Sequence, residues 1–428
     1  MHLGHTRRPL TRLAHVGFAL AFGAALGCTD PIHYANTGAG GRGGAVSTGD
    51  AAGTGGTCDA CGGTTGVGAT GGSVGGAGGS VGGAGGSVGG AGGSVLGAGG
   101  QAGQVAPQPW PTSDTVVIVD SMNEFSKNLS DLVYEQRSGG APDVLWGIQN
   151  DPSVLYCLLW NGTTWNGTTA DGWTNGKTIR YPGGTGHPDS EGLARAEWSS
   201  PAIYVSAERD NDNNGTSRLS VLRYDTSVTG TTELVATNEW NLTSDLPASG
   251  ANLGLEAIAW VPDTYLAANG FIDELANAVY DPSRYPNHGT GLFFVGLESN
   301  GVIYGYALDH SAGTFQRVAT LASGHPAIMS LQFDRDAGNL WSYCDNGCAN
   351  QAAVLRVVRG HFVVQALYDH PTTLPSSNFE GITFAPESEC GQGAQSSGQR
   401  TKSFFWTDDD DAGGHALYRG TIPCGPLP

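Results

Sequence analysis

The chain has 428 residues, 69 of them glycine, with 39 acidic against 20 basic side chains and a net charge of −19. From Gly38 to Gly103 glycine supplies 31 of 66 residues, a composition that cannot bury enough apolar surface to offset its ordering entropy and so excludes a core there. From Pro107 onward 36 acids face 16 bases, a net of −20; a surface that negative repels nucleic acid and attracts cations or basic partners.

In chain order, Arg7, Arg8 and Arg12 precede an apolar run from Val16 to Leu26 that ends at Ala25-Leu26-Gly27-Cys28. The run is too short to span a bilayer as a helix. A basic start, a short apolar core and small residues at the exit read as an export signal over residues 1–27. Cys28, directly after a small residue, resembles the lipobox of bacterial lipoproteins, where the thiol is acylated. Ala25 stands where leucine is usual, and a secretory signal with an incidental cysteine is the competing reading. Thr6-Arg7-Arg8-Pro9-Leu10 also looks like a twin-arginine signal. The expectation is an exported protein held in the bacterial cell envelope, at the outer membrane or cell surface, by a lipid on Cys28.

Residues 28–106 read as a disordered tether. From Gly71 the chain repeats GGSVGGA three times and then GGSVLGA; a seven-residue period suggests a coiled coil, but so many glycines rule out the helix. As a random coil the glycine-rich segment spans roughly 45 Å. Cys58-Asp59-Ala60-Cys61 inside it has no second pair, and reads as a small local disulfide or an inert pair.

Residues 107–428 carry a pattern repeated five times. The copies open at Asn128-Leu-Ser-Asp-Leu-Val-Tyr134, Asp189-Ser-Glu-Gly-Leu193, Gly254-Leu-Glu-Ala-Ile-Ala-Trp260, Ile328-Met-Ser-Leu-Gln-Phe333 and Asn378-Phe-Glu-Gly-Ile-Thr-Phe384. Each continues into an aromatic-rich second strand that ends in acids or amides, such as Leu340-Trp-Ser-Tyr-Cys-Asp345, and then a third strand. A fourth, for example Glu233 to Trp240, appears in all but the last copy. Thr115 to Val119 would supply the strand missing there. Short β-branched and aromatic strands at this spacing predict an all-β chain, a β-propeller of five four-stranded blades, in preference to a sandwich. The segment 263–291 leaves room for a sixth, degenerate blade and contains a helix-like stretch, Phe271 to Val279.

Inner strands of a propeller all start at one face, and the hairpin after the second strand returns to it. Glu191, Glu256 and Glu380 should therefore share a face with Glu208, Asp210, Asp212, Glu298, Asp345 and the run from Asp408 to Asp411. Carboxylates so gathered must share a cation or take up protons, and Ca2+ suits oxygen ligands at variable geometry. The competing reading is that these acids only hydrogen-bond blade backbone. Ser130 and Met329 hold the equivalent place in copies one and four. Asp210-Asn-Asp-Asn-Asn-Gly215 begins like a calcium loop, but position twelve is Val221, so it is no EF-hand. His187, His325 and His370 each precede a proline shortly before a copy opens; they are candidate ligands or general bases, or plain loop histidines. Residues 107–428 hold no Gly-x-Ser-x-Gly, His-Glu-x-x-His or phosphate loop. Cys344 is spaced to pair with Cys348, and Cys390 with Cys424, in the oxidising compartment export implies; Cys157 is left over on an apolar strand as a buried thiol.

Asp189-Ser-Glu-Gly-Leu193 and Asn378-Phe-Glu-Gly-Ile382, with Leu340-Trp-Ser-Tyr-Cys-Asp345, resemble the phytase-like propellers described as having esterase-like activity and the related SdiA-regulated propellers. The resemblance covers about Asn128 to Cys424 and implies calcium held by acids, which carry over to Glu191, Glu256 and Glu380. The basic cluster that holds phosphate in calcium-dependent propeller phytases is not evident near the openings. The first functional expectation is a monomeric binding module whose cation-bearing mouth engages a small-molecule or protein ligand. The alternative is a calcium-dependent phosphoric ester hydrolase, and a scaffold without a site is the third.

Overall fold

The computed structural model describes residues 105–391 and 399–427. The expected export signal, Cys28, the Cys58–Cys61 pair and all but the end of the expected tether lie outside them. Within the described residues the chain forms five radial sheets. Blade one comprises Leu129–Glu135, Val144–Gln149, Val154–Trp160 and Lys177–Arg180; blade two, Pro188–Arg195, Ala202–Asp210, Ser217–Asp225 and Asn238–Asn241. Blade three comprises Leu255–Pro262, Gly291–Leu297, Val302–Leu308 and Phe315–Ala322; blade four, Ser330–Asp334, Asn339–Tyr343, Ala352–Val358 and His361–Tyr368. Blade five takes Phe379–Phe384, Thr401–Asp408 and Leu417–Pro423 from the end of the chain and Val117–Ile118 from its beginning, with Val117 opposite Arg419. That is the closure expected from Thr115 to Val119.

The first strand of each blade packs against the first strands of its two neighbours, so the five inner strands form a closed ring about one axis. Five buried clusters fill the five gaps between blades. Trp146 and Trp173 pack with Tyr224 and Val205 between blades one and two, and Trp341 and Trp406 with Trp110 between four and five. Sheets with two apolar faces need neighbours on both sides, and a closed ring provides them without a free inner edge.

The segment between the first two strands of blade three is not a sixth blade. It contains a short helix at Asp263–Ala268 and a two-stranded hairpin at Ile272–Asp273 and Ala278–Val279. The helix-like stretch from Phe271 is this hairpin: the buried Asp273 carboxylate accepts from Ala276 N at 2.9 Å, and Asn277 adopts a φ of 48°. Local side-chain bonding of this kind makes a turn where apolar spacing alone suggests a helix. Phe271, Tyr280 and Tyr285 then seal the gap between blades three and four. Glu233 to Trp240 is also divided: Glu233–Val235 runs parallel to Lys177–Arg180 at the rim of blade one, and only Asn238–Asn241 joins blade two.

Disulfides join Cys344 to Cys348 and Cys390 to Cys424. Cys157 is buried as expected but is disulfide-bonded, not a thiol.

The inner strands meet at backbone distance. A Cβ on Gly381 would lie 2.5 Å from the Ser130 carbonyl oxygen, and one on Gly192 would lie 2.8 Å from the Glu256 carbonyl oxygen. Both Gly381→Ala and Gly192→Ala are predicted to lower stability by about 1–3 kcal/mol through overpacking. Gly215→Ala, which meets nothing within 4 Å, should leave it unchanged. Urea unfolding curves of the three variants test this; equal midpoints would refute the close approach.

Candidate metal centre

Four of the five inner strands begin with a break in pairing register. It falls between Leu129 and Asp131 in blade one, on either side of Ser190 in blade two, between Leu255 and Ala257 in blade three, and between Phe379 and Ile382 in blade five. A bulge adds a residue that the partner strand does not match and re-aims its side chain. The residues so placed are Ser130, Glu191, Glu256 and Glu380. Blade four pairs regularly from Ser330 opposite Tyr343 to Asp334 opposite Asn339, and Met329 ahead of it carries no acid.

The glutamates meet acids from the ends of the second strands. Oxygens of Asp189, Glu191 and Glu208 lie within 4.8 Å of one another, as do those of Glu208, Glu256 and Glu298. Glu208 belongs to both groups and also accepts from Gly254 N at 2.8 Å. Glu191 accepts from Asn150 Nδ2 at 3.1 Å and Glu380 from Asn378 Nδ2 at 2.8 Å. Glu380 faces Asp409, Asp345 and Glu298 electrostatically. The acids of blades two, three and five thus converge at one mouth, with Asp345 of blade four at its rim.

Burial is the main reason these groups resist ionising, and neighbouring carboxylates add to it. Glu191, Glu256 and Glu380 are pushed well above the ordinary carboxylate range. Burial and Glu208 raise Glu298 to about 7, while Asp189 and Asp409 are each raised to about 6. Arg209 lies among them, with Nε 2.6 Å from Asp189 Oδ2 and its guanidinium 4.0 Å from Glu208, and Lys127 offsets Asp409 from the rim. Among the described residues three oxygens at this mouth, Asn150 Oδ1, Asp189 Oδ2 and Asp409 Oδ1, are buried without a hydrogen-bond partner, Asp189 Oδ2 having only its ion pair with Arg209. Buried polar atoms without partners ask for a water or an ion. Overlapping carboxylate triads with spare oxygens beside them fit a hard divalent cation, which takes about six to eight oxygens in flexible geometry.

The remaining sequence candidates are mostly held by local bonds of their own. Asp210 accepts from His187 N and Asp212 N, and Asp212 meets His187 Nδ1 at 2.9 Å, so the calcium-like loop spends its carboxylates on its own turn. Asp408 is held by Ser377 Oγ, Asp410 N and Ala412 N; the adjacent Asp409 is the acid that faces Glu380. Asp345 accepts from Gly347 N and caps a single 3-10 turn. His325 is buried against the Ser342 carbonyl, and burial drives it down to about 4. His370 meets the Ala349 carbonyl at 3.0 Å. Of the three histidines only His187 borders the centre, in an open cavity of ≈ 530 Å3 shared with Asp212, Asn150, Asp189, Arg209 and Asn211.

Sequence reasoning missed Asp131. Fully buried one residue past the blade-one bulge, it accepts from Leu193 N and Ser330 Oγ, each at 2.8 Å. It ties blade one to blades two and four beneath the glutamates. The signal was present in Asn128-Leu-Ser-Asp-Leu, but aligning Ser130 with the glutamates hid the acid beside it.

No family model matches the chain, and no curated protein matches it. Among solved structures it is similar to a putative oxidoreductase (glucose dehydrogenase) from Thermus thermophilus, at 15% identity and a TM-score of 0.35 over 72% of this chain and 99% of that one. It is also similar to a chain of a mitotic checkpoint complex, at 10% identity and a TM-score of 0.33 over 73% and 96%. Likenesses of this size carry no argument about activity. The five-bladed propeller rests on its own strand pairing, and these comparisons do not confirm the phytase-like family suggested by the Glu-Gly openings and Leu340 to Asp345.

The carboxyl shifts set a sign for stability against pH. A carboxyl whose folded value exceeds its unfolded value stabilises the fold below the unfolded value, and that stability is lost as pH rises through the folded value. In chelator the melting temperature should therefore fall as pH rises through about 6 to 7, where Asp189, Asp409 and Glu298 ionise, and Glu256→Gln should flatten the fall. A profile level across that window would contradict the crowding.

Proposed function

We propose that the propeller is a calcium-binding module whose charged mouth engages a polar ligand or partner in the cavity beside Asp189 and His187, displayed from the envelope by a lipid on Cys28. The observation that supports it most is the pair of carboxylate triads sharing Glu208. A cation there would neutralise acids that otherwise stay protonated. It would leave its remaining positions facing a cavity lined by amides, by Asp151, Asp189 and Asp212, and by Arg209 and His187, a lining suited to a polar, hydroxyl-rich ligand that completes the coordination.

Hydrolysis of phosphate esters is the second reading, favoured by Arg209, whose guanidinium lines the cavity next to the triad acids Asp189 and Glu208. The cation is already paired with Asp189 at 2.6 Å, and one arginine is a thin anion clamp, so binding takes precedence.

Protein purified without chelator should contain calcium by elemental analysis. Calcium at a hundredfold its dissociation constant should stabilise the fold by about 2.7 kcal/mol, seen as a rise in melting temperature that Glu256→Gln reduces. Absence of calcium together with an unmoved melting temperature would remove this reading. Calcium-dependent turnover of a phosphomonoester, lost in Glu256→Gln, would instead establish the hydrolase.

A further inference from the structure

At the other end of the axis the inner strands finish in a different chemistry. Here the ends of all five strands line a cavity of ≈ 80 Å3, with Tyr134, Arg195, Trp198, Trp260, Arg335 and Phe384 among its walls. The Arg335 guanidinium lies between two indoles, 4.0 Å from the Trp198 ring centroid and 4.8 Å from that of Trp260. A planar cation stacked in this way keeps its edge free for in-plane hydrogen bonds. Among the described residues its one hydrogen bond is to the Arg195 carbonyl oxygen and it makes no ion pair; Asp336, which lines the same cavity, and Glu197 act on it only through space.

Arg195 stands beside it, 4% exposed. Its guanidinium meets Glu135 at 2.9 Å and Thr226 at 3.3 Å, while Nε is buried without a partner. Glu135 is shared with Arg137 at 3.1 Å. Asp334, the other buried acid, is already paired with Lys402 at 2.7 Å. Two neighbouring guanidiniums therefore hold donors that no protein carboxylate satisfies, within aromatic walls. Burial and the charge of Arg195 bring Arg335 down to about 10, and an anion between them would relieve that cost.

We propose that this mouth is a second ligand site, which binds the carboxylate of a small organic acid on Arg335 and Arg195 and its apolar or aromatic body against Trp198 and Trp260. A carboxylate suits the planar fork of a guanidinium, and the aromatic walls favour a carbon body over a bare inorganic ion. The site lies at the far ends of the strands from the glutamate centre and does not depend on it.

Benzoate, acetate and inorganic phosphate are titrated into the full chain in chelator, followed by tryptophan fluorescence and calorimetry. Trp198 is 38% exposed and stacked on Arg335, so occupancy should change its emission. Benzoate is expected to saturate the signal, acetate to bind more weakly, and phosphate to give no saturable change. Arg335→Gln should weaken benzoate at least tenfold while keeping the wild-type melting temperature, and Trp198→Ala should weaken benzoate more than acetate. Failure of benzoate to saturate, benzoate binding unaffected by Arg335→Gln, or phosphate binding as tightly as benzoate would each overturn the proposal. If Arg335→Gln does not fold, Trp198→Ala alone decides: undiminished benzoate binding there refutes the site.

Discussion

Five strands that share one axis must pass each other at backbone distance, and most of what distinguishes this molecule follows from that crowding. Gly192 and Gly381 lie where the neighbouring strand leaves no room for a Cβ. The residue before each is displaced by a bulge, so its side chain cannot lie in the pleat between blades. The Glu-Gly pair is thus a single steric device: glycine lets the strands close, and the bulge delivers a carboxylate to the mouth. Blade three has Glu256-Ala257 in place of the Glu-Gly pair, and blade four dispenses with both bulge and acid. Its Ser330 instead reaches Asp131, which holds the ring together from within.

That geometry has an electrostatic consequence. Burial is the leading cause of the shift at Glu191, Glu256 and Glu380, with neighbouring acids following. A fold that only needed hydrogen-bond acceptors there could use glutamine or serine, as blade one does with Ser130. Keeping three glutamates, and meeting them with Glu208, Glu298 and Asp189, raises the energy of the cation-free state. The cost is rational where a cation completes the set, because charges that repel one another are the ones a divalent ion binds most strongly.

Much of this was legible in the chain because it repeats. The openings recur with the same order of small, acidic and apolar residues, and strand pairing sets their register, so the blades, their closure through Val117–Ile118 and the shared face of the glutamates could be read from spacing. Features that occur once were not. The hairpin at Ile272–Asp273 depends on a side-chain bond from Asp273, which apolar periodicity does not encode. Asp131 lay one place from the aligned column. Asp408 and Asp409 look alike in a run of four aspartates, and only the turn clamped by Asp408 assigns Asp409 to the mouth. His187, His325 and His370 share a His-Pro context but not an environment, since the proline fixes the local backbone and says nothing about what the ring will face.

The same distinction separates the two mouths. Strand starts carry the repeat, so their acids are multiplied around the ring; at the strand ends an aromatic recurs as Tyr134, Trp260, Phe333 and Phe384, whereas Arg195 replaces it in blade two and Arg335 follows it only in blade four. Between them the axis is filled. Asp131 spans from blade one to blades two and four, and Gln332 Nε2 donates to the Leu132 carbonyl at 2.8 Å and the Leu193 carbonyl at 3.3 Å. Any influence between the two mouths must travel as a change in how the inner strands sit on Asp131 and Gln332, where each strand is already bonded to its neighbours. Packed cores of this kind do not deform continuously, so the two mouths are best understood as independent sites on one rigid ring.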